Sequence, residues 1–358
     1  MHMLNTILTW RTRDGEHLMQ FMAFSRSEDF WLGRGMSAFR TIPLELHIAG
    51  AVLFMTLAAA FALGFPLSFP NSNEAAFVGV HYLYPLIGVA VCGAVILVFR
   101  RDAIATTFLA ALPAYAVVLL CHFNLKLWIP HINPVQWDDA YWQIDQALRP
   151  LVDACFEIRH ATAPVVPLDS NYYMIAFIVL FYLSFCVHAV SDRQEFRTLF
   201  IAALLFQATG ALAYLAMPAL GPFIYEEGLE PLATAAQRGM LASYEANVAG
   251  GAAWIAANGG AQLTAGVAAM PSLHSGGAFL FLLFAWRSAR VLVPLYLLLF
   301  GFIATDAIAN RWHYLVDVPV GMALAAACAW VAIRLCGRDV AKFEVARERR
   351  PTLAGMAG

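Results

Sequence analysis

The sequence predicts an all-α, polytopic membrane protein with about eight transmembrane helices. Of the 358 residues, 61% are hydrophobic and only 13% are charged, whereas a soluble protein carries about 25% charged residues. The hydrophobic residues form runs close to the ~20 residues that a helix needs to cross a bilayer. These runs lack the period-2 alternation of a membrane barrel. Helices are therefore the expected spanning elements, since a helix satisfies its own backbone hydrogen bonds in lipid.

Eight apolar segments fit this description. The predicted spans are residues 46–65, 77–99, 104–128, 172–190, 199–217, 272–286, 291–308 and 314–333. The sixth segment is short, and we expect its helix to begin deeper in the preceding loop. Five of the six cysteines lie in or beside apolar runs, which is not the pattern of a disulfide framework.

The basic residues indicate how these spans are oriented. Of the 22 Lys and Arg residues, 17 precede span one, follow span eight or lie in the short connections on that same side. Cytoplasmic loops carry the excess of Lys and Arg, so both termini are expected in the cytoplasm. The net charge of −2 gives no indication of a nucleic-acid partner.

Two long loops then face outward. In the first, residues 129–171, apolar residues from Trp137 to Cys155 recur at helical spacing, with acidic residues on the other faces. This pattern predicts either a helix in the membrane interface, kinked at Pro150, or a short cap packed on other helices. The second loop, residues 218–270, is rich in Ala and Gly and is interpreted as a mobile lid or a flexible connector.

Two segments place polar residues at membrane depth, where they are costly and usually functional. They are residues 269–275 at the outward start of span six and residues 310–318 at the outward start of span eight. The orientation was inferred from charges elsewhere in the chain. That both polar segments fall on the same outward surface therefore supports the orientation independently.

The residue types in these segments are suited to phosphoryl transfer. His313 and Asp317 are four residues apart, so on a helix the carboxylate would orient the imidazole and leave its other nitrogen as a nucleophile. His274 supplies a second imidazole as a general acid. Ser272 adds a hydroxyl near a helix N-terminus, which favours anions. Two alternatives are histidines that merely lie at the interface and a metal site formed by His274, His313 and Asp317.

The Pro-Ser-Leu-His-Ser sequence at 271–275 and the His-Tyr-Leu-Val-Asp-Val sequence at 313–318 resemble the type-2 phosphatidic acid phosphatase superfamily. The second motif looks closer to its lipid phosphotransferase branch, which includes inositol phosphorylceramide and sphingomyelin synthases. The resemblance implies a six-helix core, no metal or other cofactor, and a phosphohistidine on His313. Asp317 would support that histidine, and His274 would be the general acid.

This resemblance divides the chain into four parts. Residues 1–43 would be a cytoplasmic extension, and residues 44–100 would form two additional transmembrane helices. Residues 101–337 would form the six-helix catalytic core, followed by a cytoplasmic tail at 338–358.

Several basic residues of the family pattern are absent. The Lys-x6-Arg-Pro motif of the phosphatases is missing after span five, where residues 217–222 contain no Lys or Arg. Ala307 stands six residues before His313, where the family carries an arginine. We expect Arg311 to replace that arginine and Lys126 to reach the site from span three. Asp306 is expected either to pair with Arg311 or to contact a hydroxylated headgroup.

The sequence thus predicts an enzyme that acts on the periplasmic or lumenal leaflet. It would transfer a headgroup from a lipid phosphate donor to a lipid acceptor, or hydrolyse the donor with water. A phosphodiester donor needs fewer cations than a phosphomonoester, so the shortage of basic residues favours transfer. The alternatives are a phosphatase of polyprenyl diphosphate, a phosphotransferase acting on a glycan lipid, and a non-catalytic transporter or assembly factor of the same fold.

Overall fold

The computed structural model describes residues 43–71, 103–168, 172–191, 193–263 and 269–348. Within these ranges the chain forms ten α-helices and no strand, so the all-α prediction is confirmed there. In chain order they are α1 Leu44–Leu63, α2 Ala103–Ile132, α3 Asp138–Ala147, α4 Arg149–Thr162, α5 Tyr172–Ser191, α6 Arg193–Ala216, α7 Pro231–Asn258, α8 Leu273–Ser288, α9 Val293–Ala309 and α10 Asp317–Glu348.

Six helices in the described ranges are long and apolar enough to cross a membrane. They correspond to α1, α2, α5, α6, α9 and α10, and they identify the chain as an integral membrane protein. The predicted span at 77–99 lies outside the described residues. The predicted sixth span is α8, which has only 16 residues. The total of eight spans therefore stays a prediction.

Helix α8 lies at the centre of the bundle. It packs against α5, α6, α9 and α10, and most of its side chains are buried. Its apolar residues join those of the neighbouring helices in one large core, in which Phe181, Phe281 and Phe284 are buried. A short helix in this position is surrounded by protein over most of its surface. This location fixes the start of α8, which carries His274.

Helix α1 has the opposite environment. Only 17% of its apolar window is buried in the protein, and Phe54 and Phe61 are exposed. An apolar helix with so little protein contact leaves most of its surface to lipid. It packs against α2 and α6, so it lies at the periphery of the bundle.

Helices α3 and α4, which we call the cap, cover the end of the bundle where α8 and α10 begin. Two acids of α3, Asp138 and Asp145, point inward and are buried, while the apolar residues Ile144, Leu151 and Ile158 are exposed. The prediction of a cap packed on other helices is therefore confirmed, and its outer surface keeps the apolar character expected of an interfacial helix. The helix breaks at Leu148, just before Pro150 in the first turn of α4.

Residues 218–270 are helical over much of their length, and their interpretation as a lid or a connector stays a prediction. Residues Pro231–Asn258 form helix α7, which bends at Gly251 and packs against α2. The segment lacks the periodicity of an amphipathic helix, but its many alanines have the highest intrinsic helix propensity. Helix propensity, rather than an amphipathic pattern, would have identified α7 from the sequence.

Candidate active site

The His313 imidazole is held by two acceptors on the same nitrogen. Its Nδ1 lies 2.7 Å from the Ala269 carbonyl oxygen and 3.2 Å from Asp317 Oδ2. Because both neighbours can only accept, the proton lies on Nδ1 and Nε2 keeps its lone pair. Asp317 Oδ2 also accepts a hydrogen bond of 2.8 Å from the backbone N–H of Tyr314. The arrangement leaves Nε2 of His313 available as a nucleophile or base.

This contact is not formed across a helix face as the spacing suggested. Helix α10 begins at Asp317, so His313 lies in the preceding loop, residues 310–316, which we call the His313 loop. A turn with a 3.0 Å hydrogen bond from the Asp317 N–H to the Tyr314 carbonyl brings the two side chains together. Four-residue spacing therefore gave the right pair for a different geometric reason.

The segment before α8 meets the start of α10 through the backbone. The N–H of Ser272 donates to the Asp317 carbonyl over 3.0 Å. The Ser272 hydroxyl accepts from the Ser275 N–H at 3.4 Å as the N-cap of α8, and Ser272 is fully buried. Its main contact is thus structural, while its predicted role toward phosphate stays a prediction.

Two glycines permit this close approach of α8 and α10. A Cβ at Gly321 would lie 2.3 Å from the Ser272 carbonyl oxygen, and one at Gly276 would lie 2.6 Å from the Gly321 carbonyl oxygen. No side chain fits at such distances, because each contact is with backbone. The spacing of the two motifs depends on both glycines.

His274 lies in the first turn of α8 between aromatic rings. Its ring centroid is 4.8 Å from that of Phe177 and 5.3 Å from that of Tyr173, both in edge-to-face geometry. It is close enough to His313 and Lys126 to interact with both electrostatically. The structure therefore brings both histidines, Asp317 and Lys126 into one region, although they come from α2, α8, the His313 loop and the start of α10.

Lys126 projects from α2 and is half-buried. Its Nζ lies 5.6 Å from the ring centroid of Tyr214 and 6.0 Å from that of Phe123. In the part of the chain that the structure describes, no carboxylate pairs with it. A cation in this position keeps its charge available for an anionic ligand.

Arg311 contacts the cap, and its predicted role as a phosphate ligand stays a prediction. It is fully buried, and its guanidinium lies 3.1 Å from Asp145 and 3.3 Å from Glu226. The same group stacks over Trp142, 5.3 Å from the ring centroid. Arg311 therefore joins the His313 loop to the cap, and two carboxylates already compensate its charge.

The expectation that Asp306 pairs with Arg311 was wrong. Asp306 accepts a 2.6 Å hydrogen bond from Arg159 Nε and a 3.0 Å hydrogen bond from Asn310. Arg159, which the sequence analysis did not single out, also donates to Glu230 over 2.5 Å. This buried cluster ties α4, α7 and α9 together, and it occupies the Asp306 side chain with protein contacts.

Two buried acids of α3 were not among the predicted site residues. Asp138 accepts from the N–H groups of Leu220 and Gly221 and from the Tyr314 hydroxyl. Asp145 accepts from the Leu315 N–H over 2.8 Å. Residues seven positions apart share one face of a helix, so their spacing was a signal that this face is buried.

The alternative of a metal site finds no support in the geometry. Among the described residues, no group of three or more His, Cys, Asp or Glu side chains is placed to hold a metal ion. His313 and Asp317 instead contact each other directly.

Comparison with protein families identifies the chain from its central and C-terminal regions. A model described as the PAP2 superfamily matches residues 142–331, just over half of the sequence. The chain belongs to the PAP2 superfamily. The matched region begins in the cap and contains both histidine motifs.

Members of the PAP2 superfamily are generally phosphatases or phosphotransferases. This chain is therefore a membrane protein of the lipid phosphatase type, and the predicted superfamily is confirmed. Its place in the phosphotransferase branch stays a prediction. No curated protein and no solved structure matches the chain.

Proposed function

We propose that this PAP2 protein is a lipid phosphotransferase that moves a phosphorylated headgroup between lipids through a phosphohistidine on His313. The observation that carries the proposal is the contact of His313 Nδ1 with two acceptors, Ala269 O and Asp317 Oδ2. That contact fixes the tautomer in which Nε2 is nucleophilic. The Asp317 carboxylate also balances the positive charge that the ring gains when Nε2 bonds to phosphorus.

The reaction would proceed in two displacements. Nε2 of His313 attacks the phosphorus, the bond from phosphorus to the lipid alcohol breaks, and protonated His274 gives its proton to the departing oxygen. The acceptor hydroxyl then gives its proton to His274, and its oxygen attacks the phosphorus. The P–N bond breaks and His313 is restored. Water in place of the lipid acceptor would make the same site a phosphatase.

The charges around the site favour a donor with a single negative charge. The predicted outward side carries Lys126, Arg149, Arg159, Arg238 and Arg311. Each of the four arginines is paired with at least one carboxylate. Lys126 is the cation that stays without such a partner in the described part of the chain. One cation balances a phosphodiester, whereas a phosphomonoester would call for more positive charge.

The proposed location is the periplasmic or lumenal leaflet. The excess of basic residues at the opposite end of the spans supports this orientation, with both termini in the cytoplasm. The exposed apolar side chains of the cap, Ile144, Leu151 and Ile158, fit a surface that rests at the membrane interface.

The test is a headgroup-transfer and phosphate-release assay with purified protein in detergent. Donors are phosphatidylinositol, phosphatidic acid and polyprenyl diphosphate, each with and without diacylglycerol or ceramide, and every reaction is run both with and without EDTA. We expect transfer from the phosphodiester donor and a loss of at least about 10³-fold in His313→Ala. His160→Ala, an exposed histidine of the cap, is the matched control and should retain full activity.

The other outcomes separate the alternatives. Near-normal activity of His313→Ala would contradict the phosphohistidine mechanism. Phosphate release without transfer would assign the site to hydrolysis. Activity of the wild type that EDTA abolishes would point to a metal site. An absence of activity with every donor would favour a non-catalytic member of the superfamily.

A further inference from the structure

An apolar groove of about 730 Å³ lies between the end of α1 and the second half of α7. It is lined by the last turn of α1, by residues 65–67 and by Ala252, Ala253 and Ala256 of α7. Its volume is in the range of about 300–1,000 Å³ that is typical of ligand sites. None of the side chains that line it is polar, so the groove suits a hydrocarbon and offers no side chain that would bind a headgroup.

The bend of α7 shapes one wall of this groove. Gly251 has a φ of 55° and a ψ of −141°, a backbone conformation that glycine adopts without the strain of a side chain. The three alanines of the lining follow directly after this bend. Between them, Ile255 is buried and belongs to a cluster with Ala60 of α1 and Trp128 of α2. Ile255 therefore anchors the second half of α7 to the bundle, while its alanines border the open space.

The segment that follows α1 is fixed at the base of the groove. The Ser68 N–H donates to Asn124 Oδ1 over 2.7 Å, and Asn124 Nδ2 donates to the Ser68 carbonyl over 3.0 Å. Asn124 lies within the membrane-spanning part of α2. Irregular backbone at membrane depth needs polar partners from the protein, and Asn124 supplies them. Pro66 and Leu67 can therefore present an apolar surface to the groove, which is preformed.

The groove is continuous with the surface that α1 leaves to lipid. Phe61, in its lining, is 93% exposed, and only 17% of the apolar window of α1 is buried in the protein. Phe65, also in the lining, has its ring centroid 5.0 Å from that of His131 in the last turn of α2. Since α2 leads directly into the cap, the groove lies at the same end of the bundle as the cap. The adjacent solvent is therefore the hydrocarbon of the leaflet on the cap side.

We propose that this groove is a binding site for one hydrocarbon chain of a membrane lipid in the leaflet on the cap side. The bilayer interior is as apolar as the groove, so the chain is retained by its packing against α1 and α7. The site recognises the chain and not the headgroup. Its lining includes none of the residues around His313, so the inference does not depend on the proposed function.

The test uses phosphatidylcholine that carries a photoreactive diazirine on one acyl chain. The full-length protein is reconstituted in phosphatidylcholine vesicles with an increasing fraction of this probe and is then irradiated, and mass spectrometry locates the labelled residues. Ala253→Trp and Ala256→Trp each fill part of the groove. Ala246→Trp is the matched control, because Ala246 is an exposed alanine of α7 that precedes the bend and is not in the lining.

We expect labelling of residues 60–67 and 252–256 to saturate as the probe fraction rises, because a single site fills. Labelling around Phe54, which is exposed on α1 away from the groove, should instead rise in proportion to the probe. Each tryptophan in the groove should reduce groove labelling at least about tenfold by taking up its volume, and Ala246→Trp should label as the wild type does.

Two results would overturn the inference. Groove labelling that rises in proportion to the probe, as it does around Phe54, would show ordinary contact with bulk lipid. A wild-type protein without label in the groove would show that another part of the chain covers it. Both results come from the wild type, so they decide the question even if a tryptophan variant does not fold. Neither result bears on the transfer assay with His313→Ala, so the two proposals are tested separately.

Discussion

The hydroxyl of Tyr314 donates a 2.7 Å hydrogen bond to Asp138, a residue 176 positions earlier in the chain. The same carboxylate accepts the N–H groups of Leu220 and Gly221 over 2.9 Å each. A single buried acid of the cap therefore fixes the neighbour of His313 and the loop that follows α6. The site depends on this acid although it is not part of either histidine motif.

Replacement of Asp138 by Ala should destabilise the protein and reduce its activity together. The substitution leaves three donors without their acceptor in a buried region, and we expect a loss of about 2–4 kcal/mol. Thermal unfolding in detergent and the transfer assay measure the two effects. Asp139→Ala is the control, because Asp139 is exposed and its hydrogen bond is with Tyr225 at the surface. Equal melting temperatures for the two variants would show that the buried hydrogen bonds contribute little.

The Asp317→Asn variant should be inactive but folded. The amide keeps the shape of the side chain and an acceptor oxygen for Tyr314. It lacks the negative charge that supports a positively charged phosphohistidine, so kcat should fall by roughly 10²- to 10⁴-fold. Single-turnover phosphorylation followed by acid quench would locate the loss in the first displacement. Asp153→Asn, on the exposed face of the cap, should leave kcat unchanged.

Lys126 and Arg311 should respond to substitution in opposite ways. Lys126→Met removes an unpaired, half-buried cation, so kcat/KM should fall about 10- to 100-fold with little change in melting temperature. Arg311→Met leaves the buried Asp145 without its cation, whereas Glu226 keeps Arg149, and we expect it to cost about 3–5 kcal/mol of stability. A stable Arg311→Met protein with a raised KM would show instead that Arg311 binds the phosphate.

The Arg159 cluster should make stability depend on pH. One arginine serves two carboxylates there, and burial, followed by the charge of Asp306, raises the pKa of Glu230 to about 7. Because this pKa is raised on folding, the native state binds the proton more tightly than the unfolded chain. The contribution is complete below about pH 4.5 and is lost as the pH rises through 7.

We therefore expect the melting temperature to fall between pH 5 and pH 8, by an amount equivalent to about 2 kcal/mol. Glu230→Gln removes the titrating group but keeps an acceptor oxygen for Arg159, and its melting temperature should vary less over this range. A wild-type protein that is more stable at pH 8 than at pH 5 would contradict the prediction.

The sequence was most informative where chemistry is local. Hydropathy identified the helices that face lipid, because the hydrophobicity of a segment is a local property that does not depend on contacts with distant residues. The pairing of His313 with Asp317 was also accessible, because four residues separate them. The two motif segments meet as predicted, and the Ser272 N–H donates to the Asp317 carbonyl.

Contacts between distant segments were beyond the reach of sequence patterns. Arginine is a residue type that commonly binds phosphate, but the contacts of Arg311 are with Asp145 and Glu226, which lie far away in the chain. Asp306 likewise finds Arg159, 147 positions away. Nothing in a single sequence states which of several carboxylates a buried arginine will bind, since that depends on tertiary packing.

The contact between Gly276 and Gly321 has a consequence for the evolution of this chain. Any side chain at position 321 would collide with the Ser272 carbonyl, and any at position 276 would collide with the Gly321 carbonyl. Mutation at either position would separate the helices that carry the two histidine motifs. We expect relatives that retain this site to tolerate no other residue at these two positions, while the sequence of the exposed cap surface varies freely. Loss of either glycine in a lineage would mark a site on its way to losing its function.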